Sequence, residues 1–241
     1  MTERVDYRLE GRVATITMDD GKRNALNPKL LAALNEAIDQ AERDEAAVIL
    51  TGREGVFSAG FDLKVMKRGG VQALAMLKAG FTMTTRLLAY PYPVVAACNG
   101  HLMAMGVFLV LASDVRLGVT GDFKIAANEV AIGLPLPRTA EEMLRLRLTP
   151  SAFQRAAVLA ETFNPEQALE AGFFDRLVTP EALHATAREL VEQLLQLDPY
   201  AHTVTKRRVR AGTSRAIRRG IPLDLSDALV LGVRQVLTSR G

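Results

Sequence analysis

The feature that most restricts the fold is Val94–Cys98, a continuous apolar run without a polar residue. A strand covered on one face alternates apolar and polar residues, whereas a strand buried on both faces of a parallel sheet is apolar throughout. A second, largely apolar run spans residues 46–51, and a third strand is predicted over residues 114–119. Helical patterns separate these strands, so the sequence predicts an α/β fold with right-handed crossovers.

The segment before the first apolar run predicts a hairpin and then a helix. Residues 5–9 and 13–18 alternate apolar and polar residues around Glu10-Gly11, as two strands joined by a tight turn do. Asn27-Pro28 predicts a helix start, because Asn is a favoured N-cap and Pro is favoured at the first helical position.

The C-terminal third has a helical pattern throughout, beginning at Pro137. We predict a helix capped by Ser151, and separate last helices near residues 199–211 and 222–237. The predicted organisation is therefore a core over residues 1–180 and a C-terminal helical region over residues 181–241.

Composition restricts the possible partners and the compartment. Hydrophobic residues make up 49% of the 241 residues, enough for a sizeable core, and the net charge of +3 is too small to demand nucleic acid or an anionic membrane. The single cysteine, Cys98, excludes an internal disulfide and suits a reducing compartment. No apolar run has the length of a membrane span, and the charged N-terminus does not resemble a signal peptide. We expect a soluble, cytoplasmic protein that binds neither nucleic acid nor membrane.

Three segments that follow strands are candidates for a ligand site: residues 58–61, 99–106 and 126–133. Ligands of open α/β sheets bind beyond the carboxyl ends of the strands. The first two segments are turns whose backbone N–H groups can hold an anionic oxygen. The third carries one carboxylate, Glu129, among small and apolar residues that would raise its pKa. Glu129 can instead be a solvated loop residue, and the sequence pattern leaves both interpretations open.

These segments, taken in order, resemble the crotonase family of enoyl-CoA hydratases and isomerases. The resemblance rests on GVFSAGFDLK at residues 55–64, NGHLMAMGVFLVLASDVRLG at residues 99–118 and ANEVAIGLPLP at residues 127–137. It extends over about residues 5–197. It implies a crotonase-like spiral of β-β-α units, with a helical C-terminal part that forms homotrimers, often paired into hexamers.

The resemblance also implies roles for individual residues. Phe61 and Met105 match the positions whose backbone N–H groups form an oxyanion hole, and Glu129 matches a catalytic glutamate. Asn128 matches the residue that precedes this glutamate in Δ3,Δ2-enoyl-CoA isomerases. The remaining positions implied to bind the acyl-CoA substrate are Lys22, Ala25, Ala59, Gly60, Asp62, Leu63 and Gly106. Coenzyme A enters as part of the thioester, so we expect neither a separate cofactor nor a metal.

Phe108 departs from the family pattern, because hydratases carry a second glutamate at this position. A phenylalanine cannot hold the water that hydration requires. We therefore predict a Δ3,Δ2-enoyl-CoA isomerase that uses one glutamate. The alternatives are an enoyl-CoA hydratase in which another residue replaces the missing glutamate, other thioester-enolate chemistry, and a non-catalytic acyl-CoA-binding protein. Ala104 and Met105 stand where the family usually has glycines, which leaves the preference for acyl chain length open.

A basic stretch in the C-terminal region admits two interpretations. Six arginines lie within residues 207–219, with neither the aromatic residues nor the module typical of nucleic-acid binding. The stretch is interpreted as a solvated helix face, with a site for the CoA phosphates as the alternative.

Overall fold

A computed structural model describes residues 4–238. Its strands are β1 (Arg4–Glu10), β2 (Val13–Asp19), β3 (Ala47–Thr51), β4 (Gly55–Ser58), β5 (Val94–Cys98), β6 (Gly100–Met103), β7 (Val115–Val119), β8 (Ile125–Ala126) and β9 (Arg176–Val178). Its α-helices are α1 (Pro28–Arg43), α2 (Leu63–Arg68), α3 (Gly70–Ala89), α4 (Met105–Ala112), α5 (Arg138–Arg147), α6 (Pro150–Leu159), α7 (Pro165–Ala171), α8 (Leu183–Leu194) and α9 (Pro199–Thr238). Short 3₁₀ turns cover Val130–Ile132 and Pro180–Ala182.

The strands form two sheets that the chain visits in turn. The larger sheet has the order β1-β2-β3-β5-β7-β9, and the smaller has the order β4-β6-β8. In the larger sheet β1 and β2 are antiparallel, and the other neighbours are parallel. Each of the pairs β3–β4, β5–β6 and β7–β8 gives one strand to each sheet before the chain turns into helix. This arrangement confirms the predicted spiral of β-β-α units.

The continuous apolar runs are buried on both faces, as predicted. All residues of β3 and β5 are buried. Because successive strand residues point to opposite faces, Val48 and Leu50 join the main core while Ala47 and Ile49 join a second cluster. Helix α8 covers this second face with Leu183, Ala187 and Val191.

The N-cap was predicted correctly at α1 and two positions late at α6. Asn27 caps α1 by accepting hydrogen bonds from the N–H groups of Lys29 and Leu30. The cap of α6 is Thr149, whose side chain accepts from the N–H of Ala152. The prediction of Ser151 as the cap was wrong, because Pro150 takes the first helical position and the cap must precede it.

Three short strands fall where the sequence predicted turns or helix. Strand β4 covers the start of the first candidate turn, and β6 begins at Gly100, which was predicted to lie in a turn. Pairing explains the glycine, since a β-carbon at residue 100 would lie 2.0 Å from the carbonyl carbon of Gly55. Strand β9 interrupts the C-terminal region that was predicted to be entirely helical, and it pairs with β7. Strands of two to four residues are too short to produce a recognisable alternation.

The last two predicted helices form one helix, α9, with Pro222 inside it. Tertiary packing carries the helix through the proline, because α9 lies along α3 and α5 and buries Ile217 and Ile221. A proline alone would favour a break.

Helix α8, which belongs to the predicted C-terminal region, packs on the larger sheet of the core. The predicted division of the chain at residue 180 stays a prediction. None of the helices in residues 4–238 has both the length and the apolar character needed to cross a membrane.

The basic stretch of α9 is only partly solvated. The guanidinium of Arg210 lies 2.8 Å from one carboxylate oxygen of Asp114, and the ammonium of Lys206 lies 2.6 Å from the other. Both basic side chains are largely buried, and Asp114 also accepts the backbone N–H of Val94. Arg210 therefore anchors α9 to the sheet, and the prediction of a solvated side chain was wrong for this residue.

Candidate active site

The three candidate segments meet at one cavity of about 150 Å³. Ala59 and Phe61 come from the turn after β4, Ala104 and Phe108 from the start of α4, and Glu129 from the segment after β8. Leu77 and Phe81 of α3 add to the wall. The segments that follow parallel strands converge in this way because the strands end at the same edge of the sheet.

The first turn is held in place by the loop at residues 22–26. Ala59 N–H donates to the carbonyl of Arg23 at 2.9 Å. The backbone of Leu26 then pairs with residues 60 and 62, through an N–H to Gly60 and a carbonyl to Asp62. In this parallel pairing the N–H of Phe61 points away from residue 26. The turn thus leaves one amide available for a ligand.

The second turn supplies another free amide at the start of a buried helix. Ala104 has φ +46° and ψ −124°, and its N–H donates to the carbonyl of Ala126 at 2.8 Å. Met105 is the first residue of α4, so its N–H has no acceptor within the helix. The positive end of the helix dipole adds to the attraction for an anionic oxygen.

The two turns are in direct contact. A β-carbon on Gly60 would lie 2.6 Å from the β-carbon of Ala104 and 3.2 Å from the backbone nitrogen of Met105. The amide nitrogen of Phe61 is bonded to the carbonyl carbon of Gly60, the residue that meets the start of α4. Gly106 likewise permits close packing, since a β-carbon there would lie 2.8 Å from that of Ser58.

Glu129 is buried in the cavity wall with an unused hydrogen-bonding atom. The residue is 7% exposed, and its Oε2 is the one buried side-chain N or O atom without a hydrogen-bond partner in the described part of the chain. Burial raises its pKa to about 7. Its carbonyl accepts the N–H groups of Ile132 and Leu134 at 3.1 and 2.9 Å, which holds the segment in place. The interpretation of Glu129 as a solvated loop residue was wrong.

Phe108 closes the cavity on the side of α4. Its side chain is 1% exposed, and it shares the cavity wall with Glu129. The neighbouring rings of Phe61 and Phe81 meet edge to face, with centroids 5.7 Å apart. The position where hydratases carry a second glutamate is therefore apolar here.

The other predicted site residues lie either on this wall or beside it. Leu63 and Asn128 line the cavity. Asp62 instead caps α2, with Oδ1 accepting the N–H of Lys64 at 2.7 Å. Lys22 and Ala25 lie in the loop that supports the first turn, where their N–H groups donate to the carboxylate of Asp20. The predicted contacts of Lys22 and Ala25 with acyl-CoA, like those of Gly60, Met105 and Gly106, remain predictions.

Among the cavity-lining residues that sequence reasoning missed, two are charged, Asp224 and Asp227 of α9. With Ala228 and Leu231 they form one helix face at spacings of three and four residues, a signal that was already present within the predicted helix over residues 222–237. The Arg138 guanidinium joins the two aspartates at 3.0 and 2.6 Å.

A comparison with protein families matches residues 8–227 to the model described as enoyl-CoA hydratase/isomerase. The chain belongs to the enoyl-CoA hydratase/isomerase family. The match covers the cavity-lining segments and α9 up to Asp227, so the resemblance found in the sequence is confirmed. The protein is accordingly an enzyme of this family.

Relatives in the family have names from several branches. An enoyl-CoA hydratase from Mycobacterium ulcerans is 48% identical, with a TM-score of 0.89, covering 92% of this chain and 98% of its own. A protein from Mycobacterium tuberculosis, named an enoyl-CoA isomerase in one solved structure and a probable enoyl-CoA hydratase in another, is 46% identical, with a TM-score of 0.90; the first of these structures covers 94% of this chain and 99% of its own. A carnitinyl-CoA dehydratase from Citrobacter koseri is 29% identical, covering 95% of this chain and 88% of its own.

Proposed function

We propose that this enzyme is a Δ3,Δ2-enoyl-CoA isomerase that uses one glutamate and an oxyanion hole. The observation that carries the proposal is the unpartnered, buried Oε2 of Glu129 in the same cavity as the two touching turns. A buried carboxylate without a partner is costly, and such a cost is typical of functional sites.

The thioester carbonyl is held by the backbone N–H groups of Phe61 and Met105. When the proton on C2 leaves, negative charge accumulates on this carbonyl oxygen. Preorganised amides stabilise such charge, and removal of one such donor typically costs about 10²–10³ in rate. The contact between Gly60 and Ala104 supports this arrangement, because it joins the two turns that carry the amides.

Glu129 moves the proton between the two carbons. Its carboxylate accepts the proton from C2, which gives a dienolate, and the resulting carboxylic acid returns that proton to C4. The double bond moves from C3–C4 to C2–C3, and the enzyme is regenerated without gain or loss of atoms. A pKa near 7 suits this work, because the group must both accept and donate a proton at neutral pH.

The apolar Phe108 favours isomerisation over hydration. Hydration needs a water that is held and deprotonated while carbon receives a proton. Phe108 offers no acceptor for that water, and its burial puts hydrocarbon where the water would lie.

The experiment compares wild-type enzyme with Glu129→Gln on trans-3-hexenoyl-CoA, following formation of the conjugated thioester. We expect the variant to lose about 10²–10⁴ in kcat, the usual contribution of general acid–base catalysis, and to keep its affinity for hexanoyl-CoA. Glu36→Gln, on the exposed face of α1, is the matched control and leaves both values unchanged. Full turnover by Glu129→Gln refutes the proposal.

Hydration is measured in the same experiment by chromatography of 3-hydroxyhexanoyl-CoA from trans-2-hexenoyl-CoA. Names of relatives that include hydratase and dehydratase make this the second candidate activity. If wild-type enzyme hydrates faster than it isomerises, the hydratase assignment replaces ours. If Glu129→Gln and wild type bind acyl-CoA and neither turns it over, the protein is an acyl-CoA-binding member of the family.

We further propose that the enzyme acts in the cytoplasm as a homotrimer or a pair of trimers. The buried free thiol of Cys98 suits a reducing compartment. Exposed Val158 and Leu159 at the end of α6 offer apolar surface for a second copy. Sedimentation equilibrium tests the assembly, and a monomer at micromolar concentration contradicts it.

A further inference from the structure

Among residues 5–231, the charged residues that line the cavity are all acidic. Glu129 lies on one wall and Asp224 and Asp227 of α9 lie on another, whereas no lysine or arginine of this range is part of the lining. An unsubstituted acyl chain ends in a methyl group, which gains nothing from a carboxylate and displaces water from it. Two aspartates in this wall therefore point to a substrate with a polar end.

The carboxylate of Asp224 already accepts hydrogen bonds from other residues of the protein. Its side chain is 3% exposed, and it accepts hydrogen bonds from the backbone N–H groups of Arg138 and Thr139 at 3.0 and 3.3 Å. It also pairs with the Arg138 guanidinium. These bonds fix the start of α5 against α9, which makes Asp224 a structural support.

Asp227 retains free acceptor capacity. Its Oδ2 accepts from the Arg138 guanidinium at 2.6 Å, and no donor among residues 5–231, the range over which side chains are described, is bonded to its Oδ1. The side chain is 54% exposed, so Asp227 lies where the cavity opens to solvent. An ionised carboxylate has about four acceptor positions, so Asp227 can bind a ligand donor without leaving Arg138.

The volume of the cavity suits a short acyl group. The wall continues from Glu129 through residues 134–137 to the start of α5, where Asp224 and Asp227 are bound. A cavity of about 150 Å³ holds a group as large as benzene, so about six carbons fill it. The unpartnered Oε2 of Glu129 marks the Glu129 end of this wall as a ligand site.

We propose that the preferred substrate is a CoA thioester of about six acyl carbons whose far end carries a hydrogen-bond donor, a hydroxyl or an ammonium, bound by Asp227. The inference rests on the proposed function for the position of the thioester. It adds the chemical class of the acyl group and makes Asp227 a specificity-determining residue.

The test measures binding without turnover, by calorimetry with four saturated thioesters of equal length. These are hexanoyl-CoA, 6-hydroxyhexanoyl-CoA, 6-aminohexanoyl-CoA and the terminal carboxylate adipoyl-CoA. We expect the hydroxyl and amino compounds to bind at least about tenfold more tightly than hexanoyl-CoA, the size of one hydrogen bond to a charged acceptor. We expect adipoyl-CoA to bind more weakly than hexanoyl-CoA.

Two variants attribute the preference to Asp227. Asp227→Leu is expected to reverse the order and favour hexanoyl-CoA. Asp227→Asn, which keeps the shape and an acceptor, is expected to lose the preference for the amino compound and to keep that for the hydroxyl compound. Asp122→Asn, on an exposed loop away from the cavity, changes the net charge equally and keeps the wild-type order.

Equal binding of the hydroxyl, amino and unsubstituted compounds overturns the inference and leaves the proposed function intact. An unchanged order in Asp227→Asn also overturns it, even if Asp227→Leu does not fold. If none of the four thioesters binds wild-type enzyme, the proposed function is wrong and the inference is wrong with it.

Discussion

Gly60 faces Ala104 so closely that a β-carbon on residue 60 would lie 2.6 Å from the methyl group of Ala104. Both residues have positive φ, +83° and +46° respectively. The contact joins the turn after β4 to the start of α4, the two segments that carry the amides of Phe61 and Met105. The spacing of these amides therefore depends on the absence of a side chain at residue 60.

Gly60→Ala is expected to damage both stability and catalysis. The new methyl group meets the side chain of Ala104 and the backbone of residues 103 and 105, and alanine is disfavoured at φ +83°. We expect a loss of about 2 kcal/mol or more in the free energy of unfolding, measured with urea, and a larger relative loss in kcat. The control is Gly212→Ala in α9, where the new β-carbon would meet no atom of a neighbouring element within 4 Å. This variant is expected to raise the free energy of unfolding by up to about 1 kcal/mol. Wild-type turnover by Gly60→Ala contradicts the close-contact argument.

Ala104→Gly tests the strain at the second turn. A residue with a side chain at φ +46° and ψ −124° lies in a sparsely populated region, at a cost of about 1–3 kcal/mol. Glycine adopts this conformation without the steric cost, so we expect the variant to be more stable by about 1 kcal/mol. Urea unfolding measures the change. A less stable variant would mean that the packing of the Ala104 methyl group against Gly60 outweighs the strain.

The buried Glu129 is expected to make stability fall as pH rises. Its pKa is raised from 4.5 to about 7 in the folded protein, so between these values the folded state holds a proton that the unfolded state has lost. The stabilisation is complete below about pH 4.5 and is lost as pH rises through about 7. The full difference is about 3 kcal/mol at 1.36 kcal/mol per pKa unit.

Glu129→Gln removes this dependence. We expect the variant to exceed wild type in free energy of unfolding, by an amount that grows from pH 5 to pH 8. Urea unfolding across this range measures it, with Glu36→Gln expected to follow wild type throughout. A constant difference between Glu129→Gln and wild type would show that Glu129 is ionised in the fold over the whole range.

Phe108→Glu is expected to introduce hydration. A carboxylate at residue 108 would face the same cavity as Glu129 and could hold a water beside the double bond. We expect formation of 3-hydroxyhexanoyl-CoA from trans-2-hexenoyl-CoA to rise above the wild-type level, measured by chromatography. Phe108→Leu keeps an apolar side chain and should show no gain. If Phe108→Glu binds hexanoyl-CoA and does not hydrate, Phe108 is not what prevents hydration.

Elements set by local chemistry were readable from the sequence. The all-apolar strands β3 and β5, the hairpin β1–β2 and the Asn27 cap each depend on residues that are adjacent in the chain. The three candidate segments were also found, because glycines, small residues and a lone carboxylate after strands are local signals.

Elements that depend on partners far along the chain were not readable. Strand β9 exists because β7 offers it an edge, and α9 continues through Pro222 because α3 and α5 pack along it. The same packing brings the face of α9 that carries Asp224 and Asp227 to a cavity whose other walls come from residues 59–137.

By itself the sequence determined the α/β class, the family, and the candidate residues Phe61, Met105 and Glu129, because periodicity, turn chemistry and motif order are properties of neighbouring residues. Only the tertiary structure decided that Glu129 is buried without a partner, that Gly60 touches Ala104, and that α9 adds two carboxylates to the cavity. Burial and contact depend on which surfaces meet, and distant segments meet only when the whole chain packs.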